Sequence, residues 1–345
     1  MSTTYKLLIL CIIAFTISAC IDELNINTSE KRNILVVEGA INTLPGPHRI
    51  LLSKSAKYGS ILDDAIKKET NAMVWIRDED GEQVFLYEKG KVGTYETPAE
   101  FRAVAGKKYT LFITLANGER YVSTPERIVP VPPLDSILVE TSLAFNSGIE
   151  LYARWKDPAD TDNFYLWESE GIYILNSRPD LFVSRDFFGN PVPAPKDCCS
   201  KCYVFENDFN NELRIFKDNL TNGNVQTELV AFIPDNGRRF SERYMAVVKH
   251  SSLTKEAYQF FDLLKNQLSI EGDIFDPPPA TIRGNMINLD KPDEEVIGYF
   301  RASDTVTDTV FVSRNEIANP LNLDVLNDDC RVIKNSTTEK PPFWR

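Results

Sequence analysis

Histidine is scarce in this sequence, and the common catalytic motifs are missing. The 345 residues include two histidines, His48 and His250, so a Ser-His-Asp arrangement would have to use one of them. There is no GxSxG or HExxH motif, and the 16 glycines form no phosphate-binding loop. We therefore predict a protein that is not an enzyme. A hydrolase with an unrecognised carboxylate pair is an alternative, because the 50 acidic residues allow many pairs.

Basic residues are also fewer than acidic residues. Lysine and arginine total 38 against 50 aspartates and glutamates, which gives a net charge of -12. A surface of this sign repels phosphate backbones, so nucleic acid is excluded as an expected partner. Adhesion of the folded body to anionic lipid by charge alone is disfavoured for the same reason.

Long hydrophobic runs are absent after the first 20 residues. The run at residues 7–17 follows Lys6 and has 11 residues, whereas a membrane-spanning helix needs about 20. A short basic segment followed by a short apolar run is typical of a secretory signal peptide. We therefore predict that residues 1–19 are a signal peptide that is removed from the mature protein.

The end of this segment resembles the lipobox of bacterial lipoproteins. Ile17, Ser18 and Ala19 match the residues that signal peptidase recognises, and Cys20 matches the invariant cysteine. The resemblance implies that Cys20 begins the mature chain and carries diacylglycerol and a further acyl chain of the palmitate type. Such chains anchor a protein to a membrane by burying methylene groups, each worth ~0.8 kcal/mol. An ordinary signal peptide with a chance cysteine is the alternative.

The residues after Cys20 are polar, and the first of them are acidic. Asp22 and Glu23 resemble the surface-export signal of Bacteroidota-type lipoproteins, with a plain polar linker as the alternative. Residues 20–32 are expected to form a flexible tether. The resemblance implies an outer-membrane protein that faces the cell exterior, with the periplasmic face as the alternative.

Four cysteines lie beyond Cys20, namely Cys198, Cys199, Cys202 and Cys330. An even number in an exported chain favours two disulfides. Pairing of Cys198 with Cys199 is the least expected, because it joins neighbouring residues, and we expect one member of the cluster to reach Cys330. Zinc is the rival interpretation of the CxxC spacing at Cys199 and Cys202, although neither histidine is spaced as a partner.

Most of the remaining chain has the pattern of short strands. Residues 109–115 alternate in the manner of a strand with one buried face, and Asn117-Gly118 then predicts a hairpin turn. We predict a mainly β protein, with an immunoglobulin-like N-terminal β-sandwich at residues 33–130. The proline-rich residues 125–133 are expected to be a stiff linker or a sandwich edge. Residues 134–345 are expected to form a larger β-rich domain.

One amphipathic helix is predicted at about residues 252–270. Its apolar side chains recur at the spacing of one helix face, and Ser252 or Thr254 is suited to cap it. The polar face lacks the basic excess of a membrane-surface helix. The helix is therefore expected to cover one face of a sheet.

The segment DPADTDN at residues 157–163 is the best candidate for a metal site. Asp157, Asp160 and Asp162 offer hard oxygen ligands of the kind that calcium prefers. The glycine and glutamate of an EF-hand loop are missing, and turns between strands have this composition without metal. No cofactor is therefore the main expectation, and calcium is the alternative.

An ordered set of segments covers most of the chain after residue 19. The set comprises the lipobox-like cysteine with its acidic followers, ILVVEGAIN, WKDPADTDNFYLW, CCSKC, and the stretch from SLTKEAYQFFDLLKNQ through DIFDPPPATIRGNMIN to EEVIGYFRAS. This set resembles the exported lipoproteins of Bacteroidota known as domain of unknown function 4249. The resemblance implies a two-part, mostly β lipoprotein that is often encoded near TonB-dependent outer-membrane receptors. It supplies no catalytic residues.

The function expected from these observations is that of a non-catalytic binding or accessory subunit, associated with a TonB-dependent receptor. The alternative from another class is a surface adhesin for glycan or protein that acts alone. Tyr203, Phe205 and Phe209, beside the cysteine cluster, are candidates for an exposed aromatic site of such an adhesin, unless they belong to the core.

Overall fold

A computed structural model of the protein describes residues 34–55, 67–142, 147–159, 161–207, 213–218, 222–269 and 282–344. The predicted signal peptide, the lipobox with Cys20, the export signal at Asp22 and Glu23, and the tether lie outside the described residues. Within the described part, no helix is both long enough and apolar enough to cross a membrane.

The described chain consists of strands, short 3-10 helices and one α-helix, which confirms the prediction of a mainly β fold. The α-helix, α1, spans Lys255–Leu268. The strands in chain order are β1 (Leu35–Asn42), β2 (Arg49–Lys54), β3 (Lys67–Lys68), β4 (Met73–Asp78), β5 (Gln83–Glu88), β6 (Thr94–Glu96), β7 (Lys108–Thr114), β8 (Arg120–Ser123), β9 (Glu126–Arg127), β10 (Leu134–Ser142), β11 (Gly148–Lys156), β12 (Phe164–Asn176), β13 (Val183–Arg185), β14 (Pro191–Pro193), β15 (Lys201–Asn207), β16 (Arg214–Lys217), β17 (Val225–Pro234), β18 (Arg243–Ser252), β19 (Met286–Asn288), β20 (Ile297–Ser303), β21 (Thr305–Ser313) and β22 (Ser336–Thr337).

The first sheet has 11 strands in the order β19-β8-β7-β4-β5-β6-β2-β1-β20, with β3 on β2 and β9 on β7. Nearly all of these strands send apolar side chains into one shared core, so the sheet bends over a core of its own. The alternation in β7 is visible as buried Tyr109, Leu111 and Ile113. In the turn after β7, Gly118 has a positive φ of 90°.

Two strands of the first sheet come from the C-terminal half of the sequence. Strand β20 pairs in parallel with β1, and β19 pairs antiparallel with β8. The core of residues 33–130 is therefore completed by residues 286–303. The domain boundary at residues 130–134 stays a prediction. The first sheet, however, contains strands from both sides of that boundary.

Glycine makes the insertion of β20 sterically feasible. A Cβ atom at Gly284 would lie against the carbonyl oxygen of Gly298, and one at Gly298 would lie against the carbonyl oxygen of Val37. Gly298 also has a φ of 95°, which side chains with a Cβ rarely adopt. Three backbone segments therefore touch at a place where no side chain fits.

The second and third sheets face each other across the other large core. The second has the order β10-β11-β17, and the third has the order β21-β18-β12-β15-β22, with β16 on β12. Trp155, which is fully buried, lies between them and contacts the rings of Tyr165 and Trp167 at centroid distances of 5.8 and 5.1 Å. Aromatic packing of this kind holds the two sheets together.

The predicted helix is confirmed, with slightly different ends. Thr254 caps α1 by accepting a hydrogen bond from the backbone N–H of Ala257 at 3.1 Å. Ala257 and Phe260 are buried against β12 and β20, where they pack on Phe164 and Tyr299. The helix thus covers the outer faces of two sheets at once.

The proline-rich segment at residues 125–133 pairs with the first sheet at its start, whereas the choice between a stiff linker and a sandwich edge stays a prediction. Glu126 and Arg127 form β9 on the first sheet, and Ile128 is fully buried. The backbone N–H of Val131 donates to Asp304, at the junction between β20 and β21. These contacts fix the segment to the body of the protein.

The cysteines form two pairs. Cys202 in β15 is bonded to Cys330, with 5.8 Å between the Cα atoms, and this matches the expectation that the cluster reaches Cys330. The sulfurs of Cys198 and Cys199 are also paired, across a cis peptide bond with Cα atoms 3.1 Å apart. The expectation that neighbours would be the least favoured pair was therefore wrong, because the local backbone brings the two sulfurs together.

The glycine contact predicts a large loss of stability on substitution. Gly284→Ala should lower the free energy of unfolding by about 3 kcal/mol, because its Cβ must displace the backbone of Gly298. Urea unfolding measures this loss. The control is Gly118→Ala, where the space is open and only the positive φ is unfavourable, so that the loss should be about 1 kcal/mol. Equal losses would contradict the steric argument.

The two cysteine pairs should contribute unequally to stability. Cys202→Ser/Cys330→Ser removes a link across 128 residues and should lower the free energy of unfolding by about 2–4 kcal/mol. Cys198→Ser/Cys199→Ser removes a link between neighbours, which closes no long loop in the unfolded chain, and should cost clearly less. Urea unfolding of both double variants checks this order, and the reverse order would refute the pairing.

Candidate functional site

The predicted metal segment contains one buried carboxylate. Asp157 follows β11 directly and is only 1% exposed. Its Oδ1 accepts a hydrogen bond of 2.7 Å from the hydroxyl of Tyr165, and its Oδ2 accepts one of 3.4 Å from the backbone N–H of Gly223. Asp162 is exposed, and Asp160 lies outside the described residues. Of the two described aspartates in this segment, one is therefore buried and the other is exposed, so they do not share one site.

A second buried carboxylate, which the sequence analysis missed, faces Asp157. Asp218 follows β16 and is fully buried. Burial raises the pKa of Asp157, and the negative charge of Asp218 raises it further. Asp218 Oδ2 is 3.4 Å from the amide nitrogen of Asn163, whereas Oδ1 has no hydrogen-bond partner among the described residues. Asp218 lies far from Asp157 in sequence, so only the fold could reveal the pair.

A surface cavity opens beside this carboxylate pair. It has a volume of about 380 Å³, and Asp157, Asp135, Lys156 and Gly223 are among the residues that line it. The cavity reaches Asp157, whereas Asp218 lies behind it and is fully buried. Its lining residues lie in or next to β10 and β11 of the second sheet and in the loops that follow β11 and precede β17.

The two histidines are in the interior of the protein. His250 is fully buried and stacks on Trp167, with 4.0 Å between ring centroids. Burial lowers its pKa to about 3, so the ring is neutral at physiological pH. His48 is 7% exposed, and burial lowers its pKa as well. Both side chains have the surroundings of core residues, and neither faces solvent as a general base would.

The cysteine cluster contains a group of potential metal-ligand atoms that lie near one another. Within the described ranges, the sulfurs of Cys198 and Cys199 and a carboxylate oxygen of Asp329 lie within 4.8 Å of one another. Arg331 forms a two-nitrogen ion pair with Asp329 and lowers the pKa of that carboxyl group to about 2. Zinc binds thiolates, and in this structure the sulfurs of Cys198, Cys199, Cys202 and Cys330 are bonded in two disulfide pairs.

Among the described residues, the most exposed aromatic side chains lie at the tip of the hairpin formed by β13 and β14. We name this hairpin the aromatic hairpin (residues 183–193). Phe187 and Phe188 are 98% and 84% exposed. The adhesin candidates are placed differently: Tyr203 is buried against Trp344, Phe205 is half-buried, and Phe209 lies outside the described residues. The sequence contains adjacent phenylalanines in a proline-rich stretch, but it does not show which aromatics face solvent.

Comparison with known proteins identifies the family. A sequence model of the family described as "Domain of unknown function (DUF4249)" matches residues 21–309. The chain belongs to this family. The DUF4249 match contains both buried carboxylates, the aromatic hairpin, and three of the four cysteines that form disulfides.

Other comparisons add little to the DUF4249 assignment. A search of curated proteins returned no match. Among solved structures, pullulanase from Anoxybacillus sp. LM18-11 is similar, both with maltotriose and without it. Each of these two comparisons has 14% sequence identity, a TM-score of 0.18, and coverage of 52% of this chain and 25% of the pullulanase chain. The match spans a quarter of the pullulanase, and a TM-score this low supports no conclusion about function.

One further buried carboxylate of this DUF4249 protein has a structural role. Glu126 in β9 is 3% exposed and accepts hydrogen bonds from Tyr299 (2.6 Å), Thr254 (3.0 Å) and Asn285 (3.3 Å). These donors belong to β20, to the cap of α1 and to the residue before β19. Burial raises the pKa of Glu126, and the three donors oppose that rise. The carboxyl group thus links the first sheet to the helix.

The raised pKa of Glu126 predicts how stability depends on pH. The folded protein holds this proton more tightly than the unfolded chain does. The free energy of unfolding should therefore fall as pH rises from the unfolded pKa of glutamate to the raised pKa, by about 1.4 kcal/mol for each pKa unit between them. In Glu126→Gln, which removes the titrating group and keeps one acceptor oxygen for Tyr299 and Asn285, the fall should be smaller by this amount.

Urea unfolding across the acidic range tests this prediction. The control is Glu79→Gln, which replaces an exposed carboxylate and should leave the pH profile unchanged. A Glu126→Gln profile that coincides with that of the wild type would contradict a raised pKa for Glu126.

Proposed function

We propose that this protein is a lipid-anchored accessory subunit of the outer membrane of Bacteroidota-type bacteria, without catalytic activity. Its partner in this proposal is an outer-membrane receptor of the TonB-dependent type. The observation that carries the proposal is the aromatic hairpin, which presents Phe187 and Phe188 to solvent almost completely. Adjacent phenylalanines at such a tip expose apolar surface that a bound partner would bury.

The aromatic hairpin is held in one conformation by its own polar residues. Asp186 accepts hydrogen bonds from the backbone N–H groups of Phe188 and Asn190 at 2.9 and 2.8 Å. Arg185 donates to the carbonyl oxygen of Gly189 at 2.9 Å. A tip that is already ordered loses little conformational entropy on binding. Rigid aromatic anchors of this kind contribute most of the energy in many protein interfaces.

The arrangement of the two rings favours a protein partner over a glycan. The rings meet edge to face, with planes at 88° and centroids 5.6 Å apart, so they form a wedge rather than a flat platform on which a sugar would stack. The phenylalanine side chain also has no hydroxyl or N–H group with which to bind sugar hydroxyls. A wedge of this shape fits an apolar pocket on another protein.

The N-terminal sequence supports the proposed location. Residues 17–20 resemble a lipobox, and the acidic residues after them resemble the export signal of lipid-bearing surface proteins. An anchor of this kind confines the protein to the membrane that holds the receptor and raises the effective concentration of the two partners. Modest affinity at the aromatic hairpin is then sufficient for a stable association.

The test is recovery of the receptor with the tagged full-length protein from the native outer membrane. The wild type should retain a TonB-dependent receptor as a major partner. Phe187→Ser/Phe188→Ser should reduce its recovery about thirtyfold or more, because two aromatic anchors are lost. The thermal unfolding midpoint should not change, since neither ring contributes to the core.

A matched control replaces two exposed apolar residues of the first sheet. Met73 and Tyr87 are 59% and 66% exposed, and Met73→Ser/Tyr87→Ser should leave recovery of the receptor unchanged. Recovery of no receptor by the wild type would refute the proposal and favour an adhesin that acts alone. Equal recovery by the Phe187→Ser/Phe188→Ser variant would show that the receptor is bound elsewhere.

A further inference from the structure

Between the loop at residues 157–163 and Asp218, which follows β16, there are more acceptor oxygens than hydrogen-bond donors. The side-chain nitrogen of Asn163 lies 3.0 Å from both the carbonyl oxygen and the hydroxyl oxygen of Thr161. It also lies 3.4 Å from the carbonyl oxygen of Pro158 and 3.4 Å from Asp218 Oδ2. An amide nitrogen carries two hydrogens, so it cannot satisfy four acceptors at once.

One oxygen of the Asp218 carboxyl group, Oδ1, receives no hydrogen bond in this arrangement. The Asp218 side chain is fully buried, and Oδ1 has no hydrogen-bond partner among the described residues. The carboxyl group of Asp157 faces it and is buried as well. The described donors that reach the two groups are the neutral ones of Tyr165, Gly223 and Asn163. Buried carboxylates require a compensating charge or proton.

We propose that a calcium ion binds between Asp157 and Asp218. The ion would supply the missing positive charge and use the unpartnered Oδ1 of Asp218 as a ligand. All available ligands are hard oxygens from carboxylates, carbonyls and a hydroxyl, which is the set that calcium selects. Calcium fits better than magnesium, because loop carbonyls impose an irregular geometry and magnesium demands an octahedron.

The proposed site lies next to a surface cavity and between strands of two sheets. The 380 Å³ cavity at the surface is lined by Asp157, so an ion can approach the site from solvent on the side of Asp157. Asp157 lies between β11 of the second sheet and β12 of the third, whereas Asp218 lies between β16 of the third and β17 of the second. A bound ion would clamp the two sheets at one end of their shared core.

The proposed calcium site uses no residue of the aromatic hairpin, so a result against one proposal leaves the other unaffected. It also extends the sequence prediction of calcium at Asp157, Asp160 and Asp162, because it replaces the exposed Asp162 by the buried Asp218. A proton held by Asp157, with its raised pKa, is the competing explanation of the proximity of the two groups, and it predicts no response to calcium.

The experiment uses the full-length protein after removal of metal with a chelator. Terbium, which replaces calcium and emits light when nearby aromatic rings are excited, is titrated first, because the hydroxyl of Tyr165 is 2.7 Å from Asp157. We expect one terbium per chain, displaced by calcium chloride with a dissociation constant of ~10⁻⁴ M. Saturating calcium should raise the thermal unfolding midpoint by about 3 °C.

Variants locate the response. Asp157→Asn and Asp218→Asn should abolish both the terbium emission and the calcium-dependent rise, whereas Asp293→Asn, at an exposed and remote carboxylate, should keep both. Absence of both signals in the wild type would overturn the proposal, and this result does not depend on whether a variant folds. Signals that survive in both Asp157→Asn and Asp218→Asn would overturn it too, because the ion would then bind elsewhere.

Discussion

The parallel insertion of β20 beside β1 is the constraint on which the rest of the structure depends. It requires three backbone segments to meet at Gly284, Gly298 and Val37, without space for a side chain. Because residues 297–303 complete a sheet that begins at residue 35, the first sheet cannot close until the C-terminal half of the chain is in place. The two halves are therefore coupled in folding, and an N-terminal fragment that ends in the proline-rich segment would lack two strands of its sheet.

Polar groups at the ends of β20 make this insertion specific. One residue, Asp304, separates β20 in the first sheet from β21 in the third, and its carboxylate accepts hydrogen bonds from Thr43 (2.6 Å) and Val131 (2.9 Å). Glu126 fixes the other side through Tyr299 and the cap of α1. Apolar packing alone would tolerate a shift of the strand along its neighbour, but the carboxylates of Glu126 and Asp304 would lose their donors in a shifted register. The polar groups thus select one alignment.

The sequence predicted the features that depend on neighbouring residues and missed those that depend on distant ones. The alternation in β7 and the face of α1 were visible because strand and helix periods place nearby residues on one side. The parallel partner of β1 was not visible, since no local pattern encodes pairing with residues 297–303. The same limit applies to the candidate sites. Asp157 was identified from its own segment, Asp218 was not, and the exposure of Phe187 depends on a fold that turns the tip of the hairpin away from every core.

The C-terminal tail explains how a hairpin with an apolar tip can be held away from the body of the protein. At the base of the hairpin, the backbone N–H of Arg178 donates to Leu326, and that of Cys330 donates to Cys199. Lys196 forms an ion pair with Asp328 at 2.5 Å. The Cys202–Cys330 bond then ties this part of the tail to the third sheet. The oxidised pair therefore braces the base of the aromatic hairpin as well as the sheet, so that a disulfide with an evident structural role also supports the orientation of the proposed binding surface.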